Sequence, residues 1–346
     1  MLVRDIGEQG LLEKLQRFCP PDVVGDDAAV LVTQPGQLLV VTTDVLVDGV
    51  HFSEITTSGV DAGWRAAAAN LSDLAAMGAS PLGITVGLGL PGEVSVSWVE
   101  QLYLGMTQCL HAYNTPIVGG DVVNSPVTTL SITAFGQVHP NRIIRRNTAQ
   151  IRDAIVVTGV HGASRAGLEL LLNPELEENL NQQDYTSLIR AHQRPQPRLD
   201  VLPILWEILF PERTQGRLIA APRTSHPPLL VSGMDSSDGL ADAVIQICRA
   251  SGVGAILEST QIPLPTAFNN WLTTEKALEY ALYGGEDFEL VLCLKEELAN
   301  ALVEKLGNGA AIVGTITSGS TVLLHDPNKN PDQVLTISRG FQHFGQ

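Results

Sequence analysis

Basic residues are scarce in this chain: 21 Lys and Arg stand against 37 Asp and Glu in 346 residues, a formal net charge of −16. Nucleic acid and anionic membrane bind through basic surface, so neither is expected as a partner. Phosphate-bearing ligands stay open to an acidic protein, provided cations stand between the two sets of negative charge. Cysteine is scarcer still. Cys19, Cys109, Cys248 and Cys293 lie far apart with no CxxC pair, which argues against structural zinc and a disulfide framework and for a reducing, cytoplasmic setting. No run approaches the roughly 18 uninterrupted apolar residues of a membrane span. The N-terminus, MLVRDIGEQG, lacks the apolar segment of a secretion signal. Also missing are HExxH, GxSxG, a Walker A loop and the HRD of a kinase catalytic loop, and the eight histidines are scattered. Metal binding through imidazole and nucleophilic-serine chemistry therefore find no support.

What is present is a globular α/β chain, 44% hydrophobic and long enough for two domains with substantial cores. A second unit begins near Asp153, giving an expected division into residues 1–150 and 151–346. The organising stretch is LLVVTTD, Leu38 to Asp44: a β-branched apolar run that reads as a buried strand with Thr42, Thr43 and Asp44 at its carboxyl lip. Ligands of open α/β sheets bind beyond such lips, and a carboxylate delivered there is suited to a hard cation.

Further acidic turns recur along the chain. After a short helix over 11–18, Gly25-Asp26-Asp27 forms a turn leading into a strand from Ala28 to Val32; backbone capping and metal binding are both open to it. The Ala-rich stretch 61–78 is helical, and Asp73 lies on one face with Asn70. A carboxylate in such a helix needs a compensating charge if buried. GLGLPG at 87–92 matches GxGxxG as text, but Gly87 and Gly89 alternate with apolar residues as strand interior does. Trp98 to Tyr113 reads as a helix, and TPIVGGDVV as a strand ending at Gly119-Gly120-Asp121. Past the strand Thr129–Val138, Arg142, Arg145 and Arg146 form a rare basic cluster, open to a solvated turn or to phosphate contact by one of them. GVHGASRAG at 159–167 is a Gly-rich entry to a helix, open to anion binding or plain capping. Residues 212–228 read as a polar surface excursion. Asp235-Ser-Ser-Asp238-Gly stands at another helix start, where both Asp could be N-caps, and Gly284-Gly285 leads into Glu286 and Asp287.

Taken in order, GDDAAV (25–30), TTDVLVDGVHF (42–52), NLSDLAAMGASP (70–81), VGGD (118–121), VTG (157–159), RPQPR (194–198), SSDGL (236–240) and GGEDFEL (284–290) resemble the thiamine-monophosphate kinases of the aminoimidazole ribonucleotide synthetase-like superfamily. The resemblance runs end to end and is specific as a set. Only the stretch 212–228 is longer than the family pattern. It implies that superfamily's two-domain α/β (α+β type) fold, the N-terminal sheet pairing across a homodimer and the C-terminal domain closing the cleft. It implies ATP-dependent phosphorylation of thiamine monophosphate with several Mg²⁺ ions, the last step to thiamine diphosphate. By position, Asp27, Thr42, Thr43, Asp44, Asp73, Asp121, Asp235 and Asp238 would be metal ligands, with Asp44 and Asp121 the catalytic carboxylates. Tyr103, Gly120, Asp121, Arg146 and Ser237 would meet ATP. His51, Glu286 and Phe341 would line the thiamine site. Three other readings compete: a sister ATP-using synthetase of the superfamily, a dinucleotide oxidoreductase using 87–92, and a non-catalytic nucleotide-binding module. Cys19, before Pro-Pro with no adjacent Lys, disfavours the cysteine-dependent selenophosphate branch.

Overall fold

The computed structural model describes residues 1–20, 28–211, 231–307, 309–329 and 331–340. Asp27 and its turn, the 212–228 excursion and Phe341 lie outside the described residues.

The first helix, α1 (Val3–Leu15), begins earlier than the sequence pattern suggested and gives way to a 3₁₀ turn at Gln16–Phe18. Asp5 explains the early start, since its carboxylate accepts from the Leu2 amide at 2.7 Å and closes the N-terminus. Leu11 and Leu15, one turn apart, bury the inner stripe.

Four strands form the N-terminal sheet, in the order β1 (Leu38–Val47), β4 (Thr129–Val138), β2 (Ser80–Leu90), β3 (Ile117–Asn124). Helices α2 (Gly59–Ala76) and α3 (Val96–His111) cover one face. Ser58 caps α2 by accepting from the Asp61 amide. The two helices approach so closely that a Cβ on Gly63 would lie 1.9 Å from the Leu102 carbonyl oxygen and one on Gly105 1.8 Å from that of Val60. Leu46, Ile132 and Val86 point inward against the Ala/Leu stripe of α2.

Three sequence expectations change here. β1 is not buried on both faces but is an edge strand whose alternate residues Leu39, Val41 and Val45 are exposed. Asp121 stands inside β3 rather than at its end. Ala28–Val32 is not a strand; Val30 and Val32 are exposed and no ladder partner satisfies that backbone among the described residues. The strand interior expected for Gly87 and Gly89 is observed, which removes the dinucleotide loop and with it the oxidoreductase reading.

The C-terminal sheet has seven strands in the order β11 (Gln333–Val334), β10 (Val322–His325), β7 (Gly254–Glu258), β9 (Ala311–Thr317), β5 (Ala154–Val157), β8 (Leu290–Leu294), β6 (Ser232–Asp235). Pairing is antiparallel except between β7 and β10. Around it lie α4 (Ala163–Leu172), α5 (Gln182–Gln193), α6 (Val201–Leu209), α7 (Leu240–Ser251), α8 (Thr274–Tyr283) and α9 (Glu296–Leu306). β8 reads as an unbroken apolar run because both its faces are covered. Leu290, Leu292 and Leu294 join the core that continues into the N-terminal sheet, while Val291 and Cys293 pack toward α7. Among the described residues no helix is long and apolar enough to cross a membrane.

Candidate active site

Thr42, Thr43 and Asp44 lie inside β1 rather than at its carboxyl lip, since the ladder with β4 continues to Val47. The middle of β1, the middle of α2 and the end of β6 meet at one place. Strand alternation turns Thr42 and Asp44 inward toward α2. Thr42 Oγ1 donates to Asp73 Oδ2, and the Asp44 amide donates to Asn70 Oδ1 at 3.3 Å, so the Asn70/Asp73 face of α2 is the face β1 reads. From the neighbouring face of the same helix, Ser72 Oγ donates at 2.6 Å to Asp235 Oδ2. Ser237 Oγ holds the other Asp235 oxygen at 3.0 Å. Asp238 follows in the exposed turn before α7.

Electrostatics tie these carboxylates together. Asp44 is pushed up to about 6 by burial, then by the charges of Asp235 and Asp238. Burial also lifts Asp73 to about 6, with Asp44 and Asp238 adding and Thr42 and Arg146 opposing. Asp235, buried outright, rises to about 6 through burial and Asp73, against the hydrogen bonds of Ser72 and Ser237 and the charge of Arg146. Groups held away from their charged form by burial and by one another bind whatever positive charge arrives. Among the described residues no group of three or more His, Cys, Asp or Glu side chains is arranged to hold a metal ion. The donors are hard oxygens brought together from three elements, the donor type that suits Mg²⁺.

Not every expected residue joins this cluster. Thr43 faces outward, its Oγ1 2.9 Å from that of Thr133. Asp121 lies in an outward row with Gly87, Ser131 and Val45, whereas Asp44 lies in the inward row with Ile132, Val86 and Gly120. Asp121 is thus on the opposite face and at the opposite edge of the sheet, and a convergence of Asp44 with Asp121 is not what a single chain presents. Gly120 is required by close strand packing, since a Cβ there would meet the Val86 carbonyl oxygen at 2.2 Å. Tyr103 is buried on α3 with its ring 5.5 Å from Phe18, so this chain offers no open aromatic face there for a nucleotide. The three arginines divide. Arg142 stacks between Trp206 and Phe210, at 5.8 and 5.9 Å from their ring centres. Arg145 uses its carbonyl to accept from Gly233 and Ser232. Arg146 faces the carboxylates, its charge lowering both Asp73 and Asp235.

A second group of side chains lies beside the first. The loop carrying Glu286 is fastened to the Ser237 turn: the Glu286 amide donates to the Ser237 carbonyl at 2.8 Å, and the Ser236 amide to that of Glu289 at 2.8 Å. Gly285 makes this possible, because a Cβ there would lie 2.4 Å from the Ser237 carbonyl oxygen. The His51 ring accepts from the Val47 amide at 3.1 Å through Nδ1. Of the two readings left open for the entry to α4, the structure shows its amides taken up by the protein's own carboxylate. Asp287 accepts from the Gly162 and Ser164 amides at 2.6 and 2.8 Å, and burial still pushes it up to about 7. Arg65, Ser72 and His192 were not singled out in the sequence, and Asp287 was noted there without a role. The available signal was a lone Arg within the Ala-rich run WRAAAAN.

Comparison with known proteins gives the family. Residues 25–138 match the AIR synthase related protein N-terminal domain and residues 153–326 the corresponding C-terminal domain. The chain is similar to thiamine-monophosphate kinase of Synechococcus elongatus, 51% identical over 98% of this chain and 97% of that protein. It is also similar to that of Escherichia coli K12, 36% identical over 93% and 91%. Among solved structures, thiamine-monophosphate kinase from Stenotrophomonas maltophilia superposes with a TM-score of 0.75 at 32% identity, covering 91% of this chain and 95% of that one. AaThiL complexed with AMPPCP and TMP gives 0.69 at 29%, covering 96% and 98%. The hydrogenase maturation protein HypE, at 18% identity and TM-score 0.71, shares the fold alone. The chain belongs to the AIR synthase related family and, within it, to the thiamine-monophosphate kinases.

Proposed function

We propose that the acidic cleft holds Mg²⁺ through Asp44, Asp73, Asp235 and Asp238, with Thr42 beside them and Asp27 added from outside the described residues, and that this is where ATP meets thiamine monophosphate. The reaction is ATP-dependent phosphorylation of thiamine monophosphate to thiamine diphosphate. The observation that carries the site assignment is the convergence of carboxylates from β1, α2 and β6, each raised by burial and by the others.

The chemistry asks for position and charge rather than for a base. The acceptor is a phosphate monoester with a second pKa of about 6, so it is largely ionised at neutral pH and is itself the nucleophile. The obstacle is bringing two anions together: unit charges at about 4 Å repel by about 4 kcal/mol at an effective dielectric of about 20. Bound magnesium supplies neutralising charge and a template for in-line displacement. The residues' share is orientation. Asn70 and Ser72 hold β1 and Asp235 against α2, Arg146 and Ser237 stand where the triphosphate would lie, and Gly120 is assigned to the nucleotide. His51 and Glu286, with Phe341 from the tail, are assigned to the thiazolium ring, whose positive charge suits a carboxylate and an aromatic face.

A homodimer belongs to the same proposal. Leu39, Val41, Val45 and Val123 are exposed on the outer face of the four-stranded sheet, which supports burial against a second copy. Thr43 and Asp121 point to that same face, so in a dimer their roles would be played next to the partner's sheet. The division into an ATP- and Mg-binding unit, 1–150, and a closing unit, 151–346, and a cytoplasmic setting, supported by four free cysteines, complete the reading.

Purified chain incubated with ATP, Mg²⁺ and thiamine monophosphate should form thiamine diphosphate and ADP in equal amounts, read by chromatography. Folded protein that binds ATP without turnover would instead mark a nucleotide-binding module, and turnover only with another phosphate acceptor would mark a sister synthetase.

A further inference from the structure

Arg65 is a cation buried to 2% exposure in the apolar half of α2. Its guanidinium is the point at which Glu286 and His51, the described residues assigned to the thiazolium ring, are both tied. Nη2 donates to Glu286 Oε1 at 2.6 Å and to the His51 carbonyl at 3.3 Å. Nη1 donates to the His192 carbonyl and lies 3.3 Å from His192 Nδ1. Nε has no hydrogen-bond partner among the described residues. One side chain thus spans the turn after β1, α5 and the loop before β8.

Burying a charge in this way is costly unless geometry repays it, and a fold that needed only a tie between α2 and α5 could have used an apolar contact. The other end of the pair is also held against a cost. Glu286 has φ +67°, a left-handed conformation that non-glycine residues adopt at a penalty. Its amide is fixed to Ser237, yet its side chain keeps 33% of its surface accessible. Burial opposes the Glu286 charge, and Arg65, then His192 and His51, overcome it, so the carboxylate titrates below its usual range. His192 is no substitute cation: burial and then Arg65 lower it to about 3, leaving the imidazole neutral.

We propose that Arg65 is the positioning residue of the thiazolium site: it clamps one oxygen of Glu286 and the backbone of His51, so that the remaining Glu286 oxygen is presented to the cationic ring of the substrate. This rests on the assignment of Glu286 and His51 to that ring. Arg65 itself touches no substrate. Its planar fork, which holds a carboxylate and two carbonyls at once, is what a lysine point charge cannot reproduce.

The test is a kinetic split in the full-length enzyme. Arg65→Lys should raise KM for thiamine monophosphate about tenfold, as expected for one lost charge-assisted contact, while KM for ATP stays within about twofold. The groups facing Glu286 are Arg65, His192 and His51, with Asp287 next to it in the chain. With the clamp loosened, the Glu286 pKa should rise, and KM for thiamine monophosphate should worsen more steeply on acidification than it does in the parent. Equal rises in both KM values, or no rise, overturn the proposal. A matched pair guards against simple misfolding: Arg65→Met in a Glu286→Gln background removes both charges together. If Arg65 acts largely through Glu286, the double variant should raise KM for thiamine monophosphate by clearly less than the product of the Arg65→Met and Glu286→Gln effects, any excess over Glu286→Gln alone being the share that passes through His51; a full product overturns it. Should Glu286→Gln by itself leave that KM unchanged, the assignment of Glu286 to the substrate fails and the positioning role with it. A raised KM in Glu286→Gln beside an unaffected Arg65→Lys would overturn the positioning role alone.

Discussion

Asp235 is 2% exposed, with each of its oxygens held by a serine and no lysine or arginine ion-paired to it among the described residues. Such a carboxylate sets the stability of the empty enzyme against pH. Asp44, Asp73 and Asp235 each move from 3.8 to about 6 on folding. The folded chain therefore binds more protons than the unfolded chain between those values, so stability falls as pH rises through that window and levels off above it. Mg²⁺ should restore the loss at about pH 7.5 and do little at about pH 4, where protons already neutralise the cluster. Thermal melts across that range, with and without Mg²⁺, read this directly. Asp44→Asn should melt at or above the parent temperature without metal at about pH 7.5, while kinase activity drops about a hundredfold or more. Metal-independent melting at both pH values would dismiss the cluster as a cation site.

At the scale of elements, α2 carries the burden. Its successive faces supply Arg65 to the Glu286 loop, Asn70 and Asp73 to β1, and Ser72 to β6. Trp64 adds a bond from its indole N–H to the Pro195 carbonyl at 2.8 Å, and Arg194 pairs with Asp61 at 2.9 Å, so the helix is docked along its N-terminal half to the C-terminal sheet's surroundings. Its seating against α3 depends on glycines at the crossing. Gly105→Ala would place a methyl 1.8 Å from the Val60 carbonyl oxygen and force the helices apart. The variant should lose about 1–3 kcal/mol, the usual range for overpacking, read as a lower urea midpoint. Because the displaced helix holds groups of both sites, kcat/KM measured where the variant is still folded should fall as well. Unchanged activity at reduced stability would show that the site tolerates movement of α2.

For the whole molecule, one face of the C-terminal sheet shares an apolar core with the N-terminal sheet and α2, while its other face packs a separate core against α7. Leu290, Leu292 and Leu294 of β8 belong to the same cluster as Ala66, Leu71 and Leu74 of α2. The outer face of the four-stranded sheet is different: Leu39 and Val41 are 54% and 52% exposed. Val41→Lys adds a charge to that face without touching the interior, and light scattering should then report a monomer where the parent is a dimer. A parent that is monomeric at assay concentration would leave Thr43 and Asp121 outside the active site altogether.

Much of this was legible in the residues themselves. Helical and strand periodicities located α2, α3, β2 and β4, and the motif series from GDDAAV to GGEDFEL was enough to indicate the family, because most of its acidic positions sit in short motifs beside glycine, serine or threonine that recur in order along the chain. Sidedness was not legible. Whether Thr42 or Thr43 looks inward, and whether Asp121 shares a face with Asp44, follows from register across four strands, which is fixed by which face the helices bury rather than by any local spacing. Nor could the chain alone say that a single arginine in an alanine-rich helix would meet a glutamate 221 positions later. Local propensity is written in neighbouring residues, while the pairing of buried charges depends on contacts that exist only after the two halves have closed on each other.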